Sequence, residues 1–303
     1  MTNFQFRRKT LSHHFVPNSR TVRAEASLEF LLEEGEAPYY CMALPMLGPP
    51  GCGKTHLSHE YPLLFEQKHQ QKLRSLYIEV SPRRARTDVS VDFLKACGDP
   101  DPAWGKTAEK MIRLVKLMEN RYDIVFLDEF HRLINKDTQK VETEAADWVT
   151  FFLNTKLCPL VMVGEYRCDR IFTNSDQFEG RTFATCPISP FDWGIALDRQ
   201  EYRQLIGAYE LLVQMPRPSD LHETDCALRI HVFSSGCLRQ TVQLIGTAAW
   251  IARRASSPNI RREHLADAVD TIRVGERARL PNPFRGEKVR PVRPLQMDHS
   301  DEE

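Results

Sequence analysis

Residues Gly48-Pro49-Pro50-Gly51-Cys52-Gly53-Lys54-Thr55 fill every fixed position of the phosphate-binding pattern G-x-x-x-x-G-K-[ST]. The loop constrains the fold strongly, because it acts between the end of a β-strand and the start of a helix. Its glycines permit positive-φ turns, so that successive backbone N–H groups converge on phosphate oxygens. Lys54 supplies a point charge that reaches the β- and γ-phosphates, and the Thr55 hydroxyl is placed to ligate magnesium. The flanks fit this reading. Tyr39 to Leu47 is an apolar, strand-like run, and His56 to Gln67 continues as a helix whose positive end adds to the site. Residues 48–55 together with His56 are the candidate phosphate cradle.

A second anchor is Ile124-Val125-Phe126-Leu127-Asp128-Glu129. Four consecutive apolar residues predict a strand covered on both faces, and the two acids at its end emerge beside the phosphate loop. In nucleotide hydrolases of this kind the first acid holds the magnesium shell and the second polarises the attacking water, which assigns Asp128 and Glu129 to those roles. Further strands are predicted at Ser75 to Val80, Leu160 to Gly164 and Thr182 to Ile188, and a helix at Lys106 to Asn120 with Met111, Leu114, Val115 and Met118 on its buried face. Strands alternating with helices predict an α/β layer with a mainly parallel sheet. Beyond Pro190 only helical patterns follow, at about Asp198–Gln214, Glu223–Phe233, Leu238–Arg253 and Arg261–Ile272. The expected organisation is a basic arm over 1–24, a nucleotide-binding core over 25–192, a small all-helical lid over 193–275 and a flexible Pro/Arg-rich tail over 276–303. The arm is either unstructured or ordered only against a partner.

Composition adds limits. Apolar residues at 42% and charged residues at 27% are those of a globular protein, and the formal net charge of zero gives no preference for a polyanionic partner. Charge is nevertheless segregated, with basic residues gathered before Arg23 and from Arg253 to Arg293. Arg83, Arg84 and Arg86 crowd the exit of the second strand, on the face where parallel sheets bind ligands. They are either a solvated cluster or contacts to a phosphate backbone. The eight scattered cysteines form no C-x-x-C pair and suit a reduced, cytoplasmic protein. No run is long enough for a membrane span.

Together these residues resemble the AAA+ superfamily, and within it the TniB/TnsC transposition regulators. The resemblance rests on the P-loop at 48–55, on LDEFHRL from Leu127 to Leu133, and on LVMVG at 160–164. It is most specific in IFTNSDQFEGR at 171–181, where Asp176, Gln177, Phe178 and Arg181 match a family stretch, followed by Phe183 and the Pro190-Phe191-Asp192-Trp193 corner. Ser234 to Gln240 is similar to the family's sensor helix.

The resemblance implies an ATPase that uses ATP and Mg2+ and assembles side by side, as a ring or helical filament on double-stranded DNA. Arg181 would act in trans on the neighbour's ATP, unless it is a surface residue in an ion pair. Arg239 would close over the nucleotide in cis, unless it merely caps its helix. Implied partners are a transposase and a TniQ-type target-selection protein, sometimes with an RNA-guided complex, in a bacterial cytoplasm. The other reading open at this point is a nucleotide-gated signalling switch with no DNA role. One position departs from the family. Glu165 stands where a small polar sensor is usual, and an ionised carboxylate only accepts hydrogen bonds. Either Glu165 points elsewhere, Asn154 or another donor substitutes, or hydrolysis is slow.

Overall fold

A strand buried on both faces has no polar side to show water, and three stretches of this chain meet that condition. In the computed structural model, which describes residues 14–35, 40–82, 89–134, 139–173, 178 and 180–291, they are β1 (Ala43–Leu47), β3 (Ile124–Asp128) and β4 (Leu160–Gly164). With β2 (Ser75–Glu79) and β5 (Cys186–Pro187) they form one parallel sheet in the order β2-β3-β4-β1-β5. β2 alternates buried and more exposed residues, as suits its place at the edge.

The chain divides into two units, one of Arg20–Pro50 and Lys54–Ile188, the other of Met1–Ser19, Gly51–Gly53 and Ser189–Glu303. The first carries the sheet. Its helices are α1 (Ser19–Glu34), α2 (Lys54–His69), α3 (Val89–Ala96), α4 (Thr107–Met118), α5 (Gln139–Asn154) and the short α6 (Asp169–Thr173). Leu57 and Tyr61 of α2 are buried, and the Tyr61 ring meets Phe126 of β3 edge-on at 6.3 Å. Phe93 of α3 packs against Trp148 and Phe152 of α5, with centroids 4.8 and 5.3 Å apart.

The second unit is helical, with α7 (Ala196–Val213), α8 (Thr224–Ser234), α9 (Leu238–Arg254) and α10 (Arg262–Ile272). Each begins within two residues of the start predicted from its apolar spacing. The core includes Tyr202, Ile206, Ile230, Leu244, Ile245 and Val269. The fully buried Tyr202 hydroxyl is satisfied, since it bonds Ser234 Oγ at 2.8 Å and Thr241 Oγ1 at 2.6 Å.

Several elements depart from the sequence reading. The arm was expected to run to residue 24, but α1 starts within it at Ser19, with Thr21, Ala24, Leu28 and Leu31 buried. Their spacing of three, four and three residues is a helical stripe, hidden in the sequence because its first two members are only weakly apolar. Residues 1–13 of the arm lie outside the described residues, as do Arg83, Arg84 and Arg86. α5 was not anticipated. Its apolar positions gather in its second half, where Ala145, Ala146, Val149, Phe152 and Leu153 are buried. The fifth strand shrinks to Cys186–Pro187 plus one bridge between Thr182 and Ala43, because Pro187 has no N–H for the ladder. Part of the expected tail is docked. Phe284 is buried in the helical core, and Arg229 donates to the carbonyls of Pro283, Gly286 and Glu287 at 2.5, 2.9 and 2.8 Å.

The turn between α8 and α9 depends on Gly236, whose φ is +75° and whose missing Cβ would lie 2.1 Å from the Phe191 carbonyl oxygen. Gly236→Ala is expected to destabilise the helical unit by about 2–4 kcal/mol, through strain and backbone displacement together. Denaturant unfolding followed by circular dichroism checks this; an unchanged helical transition would show that the turn accommodates a side chain.

Candidate nucleotide site

The P-loop connects the end of β1 to the first turn of α2, so the positive end of a 16-residue helix faces the space that the loop encloses. Gly51 and Gly53 have φ of +86° and +101°, the conformation that turns N–H groups inward and that side chains disfavour. Lys54 is buried, and its Nζ donates to the carbonyls of Gly48 at 2.7 Å and Pro49 at 2.9 Å. His56 follows in the same helix, half-buried.

Asp128, 2% exposed, ends β3. Its Oδ2 accepts from the Thr55 hydroxyl and from the Tyr77 hydroxyl, both at 2.7 Å, and its Oδ1 accepts from the Glu129 backbone N–H at 2.7 Å. Tyr77 sits on β2 and its ring lies 3.9 Å from that of His59 on α2, so one tyrosine ties three elements together at this carboxylate. Burial, then the hydrogen bond to Asp128, pushes the Tyr77 phenol above its ordinary pKa, which keeps it a donor. A hydroxyl and a carboxylate, both hard oxygen donors, suit Mg2+, which takes one or two protein ligands and completes its shell with phosphate and water. Thr55 and Asp128 therefore fit as the residues that would hold it. Sequence reasoning missed Tyr77, although the alternation of β2 places it opposite Leu76 and Ile78. Tyr77→Phe is expected to raise the Mg2+ concentration needed for half-maximal ATPase activity by roughly 10-fold, in keeping with loss of an outer-shell partner. A magnesium titration of the rate checks it, and an unchanged midpoint would rule the role out.

Glu129 follows with φ of +58°, a left-handed conformation uncommon for a glutamate. It turns the chain into the 3-10 turn Phe130–Ile134, and its carboxylate meets Arg132 at 3.0 Å and His131 at 3.4 Å. Glu165, just past β4, pairs with Arg167 at 3.1 Å and approaches His131 at 3.5 Å. Burial pushes the His131 imidazole below its ordinary pKa, against the opposing pull of Glu165 and Glu129.

Arg181 is elsewhere. Its carbonyl accepts from the Ala43 N–H at 2.9 Å, at the start of β1, whereas the P-loop leaves the end of that strand at Leu47. Four residues of parallel strand span ~13 Å, beyond the reach of an arginine side chain. The guanidinium instead donates to Asn154 Oδ1 at 2.8 Å and lies 5.2 Å from the centroid of the Tyr40 ring. Asn154 is thereby placed at the far end of the sheet too, and does not stand in for the sensor. In the helical unit, to which Gly51–Gly53 belongs, the Arg239 N–H donates to the Gly51 carbonyl at 3.0 Å, and Cys52 Sγ lies 3.8 Å from Cys237 Sγ. The first turn of α9 thus lies against Gly51 and Cys52 within the same unit. Of the stretch 174–179, only Phe178 is described, and it is buried.

Residues 40–172 match the family described as an AAA domain. Among solved structures the chain is similar to the Aeropyrum pernix ORC1 protein in complex with DNA, at 19% identity and a TM-score of 0.60, over 88% of this chain and 69% of that one. It is also similar to the Aeropyrum pernix ORC2 protein in ADPNP-ADP complexes, at 15% and 0.62, over 87% and 71%. A third is Cdc6p from Pyrobaculum aerophilum, at 17% and 0.59, over 86% and 69%. At these identities the likeness establishes the fold. No curated protein matches the chain in sequence. Fold, domain match and site together define the class: an AAA+ P-loop ATPase. Among the described residues, no helix is long and apolar enough to cross a membrane.

Proposed function

We propose that this ATPase is a DNA transposition regulator of the TniB/TnsC kind, which assembles on double-stranded DNA when it holds ATP and comes apart on hydrolysis. The observation that carries the reading is the separation of Arg181 from its own P-loop, which leaves a neighbouring subunit as the place where it can act. Support for a DNA role comes from the fold, since the Aeropyrum pernix ORC1 protein of the same architecture was solved in complex with DNA. Transposition, with a transposase and a TniQ-type protein as partners, rests on the stretch from Ile171 to Trp193.

In this reading the P-loop amides and Lys54 bind the phosphates, and Thr55 and Asp128 hold Mg2+. The bound cation neutralises charge on the phosphate oxygens. Glu129 orients the attacking water and accepts its proton, Arg181 of one subunit stabilises the charge developing at the next, and Arg239 closes the lid side. Arg83, Arg84 and Arg86 contact the DNA backbone in a sequence-tolerant, salt-dependent way.

Duplex DNA tests the proposal. With a slowly hydrolysed ATP analogue, the protein is expected to sediment with duplex DNA as rings or filaments visible by electron microscopy, and to release it as salt rises. Assembly that ignores DNA would overturn the reading and leave a nucleotide-gated switch.

A further inference from the structure

Position 165 lies beside the phosphate loop, because the Gly48 N–H donates to the carbonyl of the preceding Gly164 at 3.0 Å. At this place Glu165 brings a carboxylate, a hydrogen-bond acceptor. Its Oε2 is taken by Arg167 Nε at 3.1 Å, while its Oε1 faces His131 Nε2 at 3.5 Å. The same nitrogen faces Glu129 Oε2 at 3.4 Å. One ring nitrogen is thus set between carboxylates that emerge from the ends of two adjacent strands, β3 and β4.

A bare lone pair on that nitrogen would repel both anions, so Nε2 carries the hydrogen. Nδ1 is buried without a hydrogen-bond partner, which is the less costly arrangement if it is the bare nitrogen of a neutral ring. The side chain is only 13% exposed, so it has little water to turn towards.

We propose that His131 is a positioning residue for ATP hydrolysis, its Nε2–H set between the Glu165 and Glu129 carboxylates so that Glu165, through the imidazole, fixes the direction of Glu129. Glu165 is then no sign of a defective site. It acts through His131, and Arg167 keeps its second oxygen occupied. Arg132 Nη2 meets the same oxygen, Oε2, at 3.0 Å, and together with His131 it restricts the directions in which the Glu129 carboxylate can point. The inference rests on Glu129 being the base, which the proposed function assigns.

Steady-state ATPase assays on the full chain test it. His131→Ala and Glu165→Ala are each expected to lower kcat on the order of 10-fold to 100-fold, as loss of outer-shell partners does, with KM for ATP little changed. The double variant is expected to be no slower than the worse single variant, because two residues acting as a unit are lost once. His131→Gln, which keeps an N–H near the same point, is expected to recover part of the rate, and it serves if the alanine variant folds poorly. A kcat unchanged in both His131 variants, or losses that multiply in the double variant, would overturn the proposal. Glu129→Gln separates the two claims. If Glu129→Gln retains turnover, the assignment of the base fails; if it loses turnover while His131→Ala does not, only the role of His131 fails.

Discussion

Lys54→Ala is expected to weaken ATP binding by roughly two to four orders of magnitude, and with it to abolish nucleotide-dependent assembly. The ammonium is buried and bonded to two loop carbonyls, an arrangement that places a positive charge inside the curve of the loop. Exchanging those neutral acceptors for the anionic oxygens of the β- and γ-phosphates gives charge-assisted bonds of about 1.5–3 kcal/mol each. Losing two of them corresponds to about 3–6 kcal/mol, hence the expected range. Titration with a fluorescent ATP analogue gives the affinity directly. A Kd like that of the unaltered protein would mean that nucleotide is bound elsewhere.

Arg181→Ala is expected to leave ATP affinity intact and to lower single-turnover hydrolysis by about 10³-fold to 10⁵-fold, the usual effect of removing an arginine finger. Within its own chain the residue makes a hydrogen bond to Asn154 and a cation-π contact with Tyr40, each at a half-exposed surface. Such contacts contribute about 1 kcal/mol or less, so stability is expected to change little while turnover collapses. A variant that hydrolyses ATP normally would make Arg181 the surface residue that its ion-pair chemistry also allows.

What was legible in the sequence follows from where each constraint acts. The P-loop and the Asp128-Glu129 pair were legible because the chemistry needs consecutive residues, and the covered strands around them can only be apolar runs. The helices of the second unit were legible because each carries a regular stripe. Tyr77 and the role of His131 were not, since each depends on partners brought together by folding: Tyr77 meets Asp128 across neighbouring strands, and His131 meets Glu165 through a left-handed turn at Glu129. Docking of residues 280–287 was hidden for a similar reason. Its anchors, Arg229 and Arg262, read as ordinary surface charges until their carbonyl partners are seen. Glu165 is the instructive position, because a local departure from pattern made sense only once the neighbouring imidazole was placed.

The central claim is that the site is completed by the neighbouring subunit. Its most direct test mixes two inactive variants on duplex DNA, Glu129→Gln, which lacks the base but keeps Arg181, and Arg181→Ala, which keeps the base but lacks the finger. The ATPase rate of the mixture is expected to exceed clearly the sum of the two variants measured separately, because Arg181 of one then serves Glu129 of the other. A mixture no faster than that sum would contradict a site shared between subunits.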